Sequence, residues 1–143
     1  MIESKGRPNR LGIVGWLGGG RWGFERYLYT LHRVTGLGLL LYFVLHIVVT
    51  SSRAFGEQAW ARAMGTVTGP LFTVGEFLVF AAFAFHAVNG VRLVLVELGV
   101  AIGQPIEPVY PYRTAVHEQR PLAIGVMVVA AVLAAVGGLG FLK

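Results

Sequence analysis

Cysteine is absent from the 143 residues. That excludes disulfides, thiolate metal sites, iron–sulfur ligation and cysteine nucleophiles. Charge is also scarce. Asp, Glu, Lys and Arg make up 13% of the chain, about half of the quarter usual in soluble domains. Acidic residues are the scarcer sign, 7 against 12 basic ones. What fills the space is apolar: 55% of residues are hydrophobic and mean hydropathy is +0.67. An ordinary cytosolic domain does not have this composition. The length fits one domain. The 20 glycines follow no triplet period, which excludes collagen and suits close helix packing in lipid. The net charge of +5 in so apolar a chain reads as basic membrane flanks, not as a nucleic-acid surface.

The apolar residues fall into three blocks. A membrane-crossing helix needs roughly 20 mostly apolar residues, and each block meets that length. The predicted class is therefore an all-α membrane protein with three transmembrane helices, at about 28–52, 71–98 and 121–142. Residues 28–143 form the transmembrane domain. Residues 1–27, with Trp16, Trp22 and the run Gly18-Gly19-Gly20, form a cytoplasmic or interfacial segment. The apolar run starts too late and is too long for a signal peptide. Gly69-Pro70 marks the start of the second helix. Pro105, Pro108, Pro111 and Pro121 punctuate the approach to the third. Lys5, Arg7, Arg10, Arg21 and Arg26 precede the first helix, whereas the first loop holds only Arg53 and Arg62. The positive-inside rule then puts the N-terminus in the cytoplasm and the C-terminus outside.

Ionisable side chains inside a membrane span are costly and are functional candidates by default. The first helix carries His32, Arg33 and His46. The second carries Glu76, His86, Arg92 and Glu97. His117 reads as a solvated loop side chain. His46 and His86 are each flanked by apolar residues. A histidine so placed is either a hydrogen-bonded packing residue or a ligand. Two on adjacent helices favour ligands, and neutral imidazole is the usual axial ligand of haem in helical bundles. Gly90, four residues after His86, shares its face and leaves room beside it. His46 lies about 27 Å from the inner end of its helix and His86 about 15 Å from the inner end of its own. They sit at different depths, roughly 10 Å apart, so one iron cannot take both. As ligands, each would need a second ligand from a partner membrane subunit. At the inner mouth, Arg33 and Arg92 could pair with a haem propionate, a quinone carbonyl or a lipid phosphate.

The stretch YTLHRVTGLGLLLYFVLHI (Tyr29–Ile47) resembles the first helix of the cytochrome b membrane-anchor subunit of succinate dehydrogenase or fumarate reductase (complex II). The family motif of His-Arg, a hydrophobic residue, Ser or Thr, and Gly stands here as His32-Arg33-Val34-Thr35-Gly36. The second motif stands as His86, Gly90, Arg92 and Glu97. The resemblance covers all three helices in order. It implies an anchor chain paired with a second membrane-anchor subunit, docking an iron–sulfur subunit and a flavoprotein subunit at the inner face. It further implies b haem and a quinone site, in the cytoplasmic membrane of a bacterium or archaeon. The chain would be a subunit of an enzyme and carry no succinate chemistry itself.

By the motif match, His86 would be the proximal haem ligand. His32, Arg33 and Arg92 would be the propionate contacts, and Arg33, Tyr29 and Thr30 the quinone contacts. His46 looks like the distal ligand of two-haem members, which favours two haems, each shared with the partner anchor, and menaquinone. Three departures stand out. Tyr29 replaces a serine four residues before the motif arginine, residues 17–27 (LGGGRWGFERY) lack an upstream Arg-Pro-x-Ser-Pro-His segment, and Glu97 stands where Asp is more frequent. Two competing readings remain: the cytochrome b anchor of another respiratory dehydrogenase, and a small non-redox membrane protein. The first usually has more helices and more histidines per chain. The second leaves His46, His86 and the His32-Arg33 pair unexplained.

Overall fold

The computed structural model describes residues 12–13, 23–100, 107, 109–110 and 118–141. Trp16, Trp22, the glycine run, Pro105, Pro108, Pro111, Arg113 and His117 lie outside the described residues. Four helices are set out in chain order: α1 (Phe24–Ser51), α2 (Glu57–Thr66), α3 (Pro70–Glu97) and α4 (Arg120–Phe141). A 3-10 turn over Ser52–Phe55 joins α1 to α2. No strand occurs among the described residues. Three of the helices are long and apolar enough to cross a membrane by length and composition: α1 extended through Phe55, α3 and α4.

The helix limits have local causes. α1 begins at Phe24, four residues before the predicted start, because Glu25 in its first turn suits the positive end of the helix dipole. Hydropathy alone passes over that polar turn. α3 begins at Pro70, whose fixed φ suits a first helical position, after Gly69 at φ 121°. It ends in a Schellman motif. The Val100 amide donates to the Leu95 carbonyl at 3.0 Å, and the Gly99 amide to Val96 at 3.0 Å. Gly99 at φ 78° supplies the left-handed residue that this closure requires. The helix α2 lies in what the sequence reads as a plain loop.

α3 is the central helix and packs against both α1 and α4. Where α3 meets α4, phenylalanine rings of α3 lie directly on the bare backbone of α4 glycines. A Cβ on Gly137 would collide with the Phe80 ring, and one on Gly138 would come within 3.0 Å of the Phe77 ring. The core joins all three long helices: Leu28 of α1, Phe85 of α3, and Ala123 and Ala130 of α4. Every buried side chain among the described residues is in the first part of α1, the second half of α3 or the first half of α4. These segments share one end of the bundle, here called the lower end. Arg120 of α4 also pairs there with Glu25 of α1, Nε to Oε1 at 2.7 Å. Elsewhere apolar side chains point outward; Leu37, Leu40, Leu41 and Phe43 of α1 are all exposed. A surface of that kind suits lipid or another membrane chain.

Candidate functional site

α1 and α3 run in opposite directions and bring two histidines face to face. The rings of His32 and His86 stack with centroids 3.9 Å apart and planes 7° apart. Each ring lies against a glycine of the opposing helix. A Cβ on Gly36 would come within 2.9 Å of His86 Cε1, and one on Gly90 within 3.8 Å of His32 Cε1. The two His-x-x-x-Gly sequences thus interlock reciprocally, four residues apart on each helix. The sequence pointed to Gly90 as the space beside His86. The space beside His86 is made instead by Gly36, and Gly90 serves His32.

His86 Nδ1 lies 3.2 Å from Thr35 Oγ1 and 3.1 Å from the backbone oxygen of His32. The Thr35 hydroxyl is itself within donor range of the Leu31 and His32 carbonyls, at 2.8 and 3.0 Å. No described residue is hydrogen-bonded to His86 Nε2. His32 Nδ1 is buried and has no hydrogen-bond partner among the described residues. Asn89 is fully buried; its Oδ1 accepts from Arg92 Nε at 2.9 Å, while its Nδ2 is unmet. A buried unmet donor costs about 1–3 kcal/mol unless water or another group satisfies it. Arg92 is buried too, and the Glu25 carboxylate acts on it electrostatically.

His86 borders an apolar groove of about 900 Å³ between α1 and α3, lined also by Tyr42, Phe43, Glu76, Phe80 and Phe83 and reached by Phe141 of α4. That volume is near the top of the usual ligand-site range of about 300–1,000 Å³. The groove is open on one side. An apolar slot with one unengaged imidazole nitrogen fits a large flat group such as haem. No cluster of three or more His, Asp or Glu that could hold a bare metal ion occurs among the described residues.

The other sequence candidates are dispersed. His46 is exposed on α1, with its ring 5.6 Å from Tyr42 and its backbone oxygen accepting from Thr50 Oγ1 at 2.7 Å. Gly36 marks the level of His86 on α1, and His46 is ten residues beyond it, or about 15 Å. The two histidines therefore stand at different heights. Tyr29 and Arg33 are together on an exposed face. Arg33 Nη1 donates to Tyr29 Oη at 2.9 Å, and the guanidinium carbons of Arg33 and Arg26 each lie 5.4 Å from the Tyr29 ring centroid. Thr30 is buried, away from that exposed face. Arg92 lies inside the helix packing while Arg33 does not, so the two arginines do not share one pocket wall. Thr35 and Asn89 carry contacts that the sequence reading assigned to neither. Thr35 was visible inside the first motif; Asn89 had only its polarity in an apolar helix as a signal.

Comparisons with known proteins agree with one another. Residues 13–137 match the family described as Succinate dehydrogenase/Fumarate reductase transmembrane subunit. The chain is 26% identical over 66 residues to the succinate dehydrogenase 2 membrane subunit SdhC of Mycobacterium tuberculosis, covering 46% of this chain and 48% of that protein. It is 31% identical over 87 residues to a succinate dehydrogenase hydrophobic membrane anchor subunit of Halobacterium salinarum, covering 58% of this chain and 67% of that one. It thus spans about half the length of the mycobacterial relative and two thirds of the halobacterial one. No solved structure is a significant match. With its three long apolar helices and most of its length matched, this chain belongs to the succinate dehydrogenase/fumarate reductase transmembrane-subunit family, the membrane anchors of complex II.

Proposed function

We propose that this chain is the cytochrome b-type anchor of a succinate:quinone oxidoreductase in a prokaryotic cytoplasmic membrane. It holds b haem jointly with a second anchor subunit and forms part of a quinone site. It relays electrons from an iron–sulfur subunit, itself fed by a flavoprotein subunit, to quinone. The observation that carries this reading is His86 at the wall of a one-sided apolar groove of about 900 Å³. A half-buried imidazole in a membrane-spanning helix is expensive unless it serves a purpose. Haem, when bound, supplies a one-electron carrier at membrane depth.

The chain's own residues supply the rest. His86 offers one axial nitrogen. Gly36 keeps the space in which its ring can stand. Phe80 and Phe83 give the slot apolar walls. His32, with its unmet Nδ1, Arg33 and Arg92 supply positive or donating groups toward propionates at the lower end. Tyr29 and Arg33, with Thr30 nearby in sequence, border the quinone, for which menaquinone is the favoured type. His46 is the ligand of a second haem nearer the upper end. The N-terminus is cytoplasmic and the C-terminus outside, so the lower end faces the iron–sulfur subunit. Succinate chemistry occurs in the flavoprotein, not in this chain.

The test is spectroscopic. The purified assembly should show a dithionite-reduced b-type spectrum. His86→Ala should remove the component nearer the iron–sulfur subunit. A spectrum unchanged by His86→Ala would defeat the assignment.

A further inference from the structure

The contacts of His86 Nδ1 fix more than the ring's position. One of its two partners is the backbone oxygen of His32, at 3.1 Å. A carbonyl oxygen can only accept, so that contact is favourable only if Nδ1 carries the proton. A bare Nδ1 would set lone pair against lone pair. The second partner, Thr35 Oγ1, is at 3.2 Å. Its single hydrogen is taken up by the Leu31 and His32 carbonyls, at 2.8 and 3.0 Å. The hydroxyl therefore presents lone pairs to His86 and is an acceptor there as well. Both neighbours hold the proton on Nδ1. By exclusion, Nε2 of the neutral ring keeps its lone pair, and no described residue engages it.

We infer that Thr35 is a positioning residue for His86. Its hydroxyl and the His32 carbonyl together pin the Nδ1–H tautomer, point Nε2 as an electron-pair donor toward iron, and set how basic that nitrogen is. This rests on the haem-ligand reading of His86 given above. An imidazole whose N–H is engaged by an acceptor is a more basic ligand. It therefore favours ferric over ferrous iron and lowers the midpoint potential. Gly36, one residue on, clears the space in which the ring makes these bonds, at 2.9 Å from where its Cβ would stand to Cε1. The Thr35-Gly36 pair thus acts on one side chain of another helix, one residue by bonding and one by absence of bulk.

The experiment is a redox titration of the b haem in the intact assembly, comparing Thr35→Val with Thr35→Ser. Valine keeps the shape and removes the hydroxyl; serine keeps the hydroxyl. Thr35→Val should shift the reduced-to-oxidised ratio at fixed ambient potential about tenfold toward reduced, a rise of about 59 mV for a one-electron couple. Thr35→Ser should stay near the parent value. Loss of haem from Thr35→Val with retention in Thr35→Ser is the stronger form of the same result. A potential unmoved by valine, or moved equally by serine and valine, overturns the inference. Failure of the underlying reading looks different: haem content would then survive His86→Ala, whatever Thr35 does.

Discussion

Each of the two histidine rings at the α1–α3 contact has its own glycine, and the two glycines are not equally tight. A methyl group on Gly36 meets His86 at 2.9 Å, closer than real Cβ contacts come. The same group on Gly90 meets His32 at 3.8 Å, an ordinary van der Waals distance. Gly36→Ala should therefore displace the His86 ring and remove most of the associated haem absorbance, while Gly90→Ala should leave it near the parent level. Pyridine haemochrome content of the two purified variants checks this; equal content in both would contradict it. The histidines themselves are legible in the sequence, because a polar ring in an apolar run is conspicuous. The pairing is not. A sequence displays neighbours on one helix, such as Gly90 four residues after His86, but not the register between helices. That register decides that Gly36 and Thr35 are what His86 meets.

At the level of helices, the α3–α4 contact depends on bare backbone. In lipid there is no water to drive helices together, so close approach through small residues is a main source of attraction. Gly137→Leu would put a branched side chain into the ring of Phe80. The expected cost is about 1–3 kcal/mol, as for other overpacked contacts. It would show as a lower midpoint for thermal dissociation of the purified assembly, and an unchanged midpoint would argue against this contact in the assembled protein. The three long helices were legible as long, mostly apolar blocks. α2 was not, because Glu57–Thr66 mixes Glu, Gln and Arg with Ala, Trp and Met and is neither plainly apolar nor rich in turn residues. Its outer side chains do have a local anchor: the Arg53 guanidinium lies 4.3 Å from the Trp60 ring centroid.

For the molecule as a whole, the vertical spacing of His46 and His86 bears on how many haems the proposed assembly would carry. A separation of about 15 Å along α1 is too great for one iron to bond both. The two-haem reading predicts two haems per flavin in the purified complex and one after His46→Ala. One haem per flavin in the parent complex would remove His46 from the ligand set. The proposed inner–outer orientation rests on Lys and Arg counts. It predicts that a reagent impermeable to the membrane labels a cysteine placed near the C-terminus from outside intact cells, but not one placed near the N-terminus.

The confinement of buried side chains to the lower end grades the mechanics of the bundle. Below, Leu28, Phe85 and Ala123 meet in a closed joint, so the helices cannot be squeezed or spread there without disturbing packed atoms. Above, no described side chain is buried; α3 and α4 stay in contact where Phe80 and Phe77 lie on Gly137 and Gly138, while the groove separates α1 from α3. The upper part of α1 is thus a lever hinged at the base. A neighbouring chain or a thicker bilayer that changes the splay of the tips moves the surroundings of His46 first. The geometry at His86, close to the hinge, is the part that such loads change least.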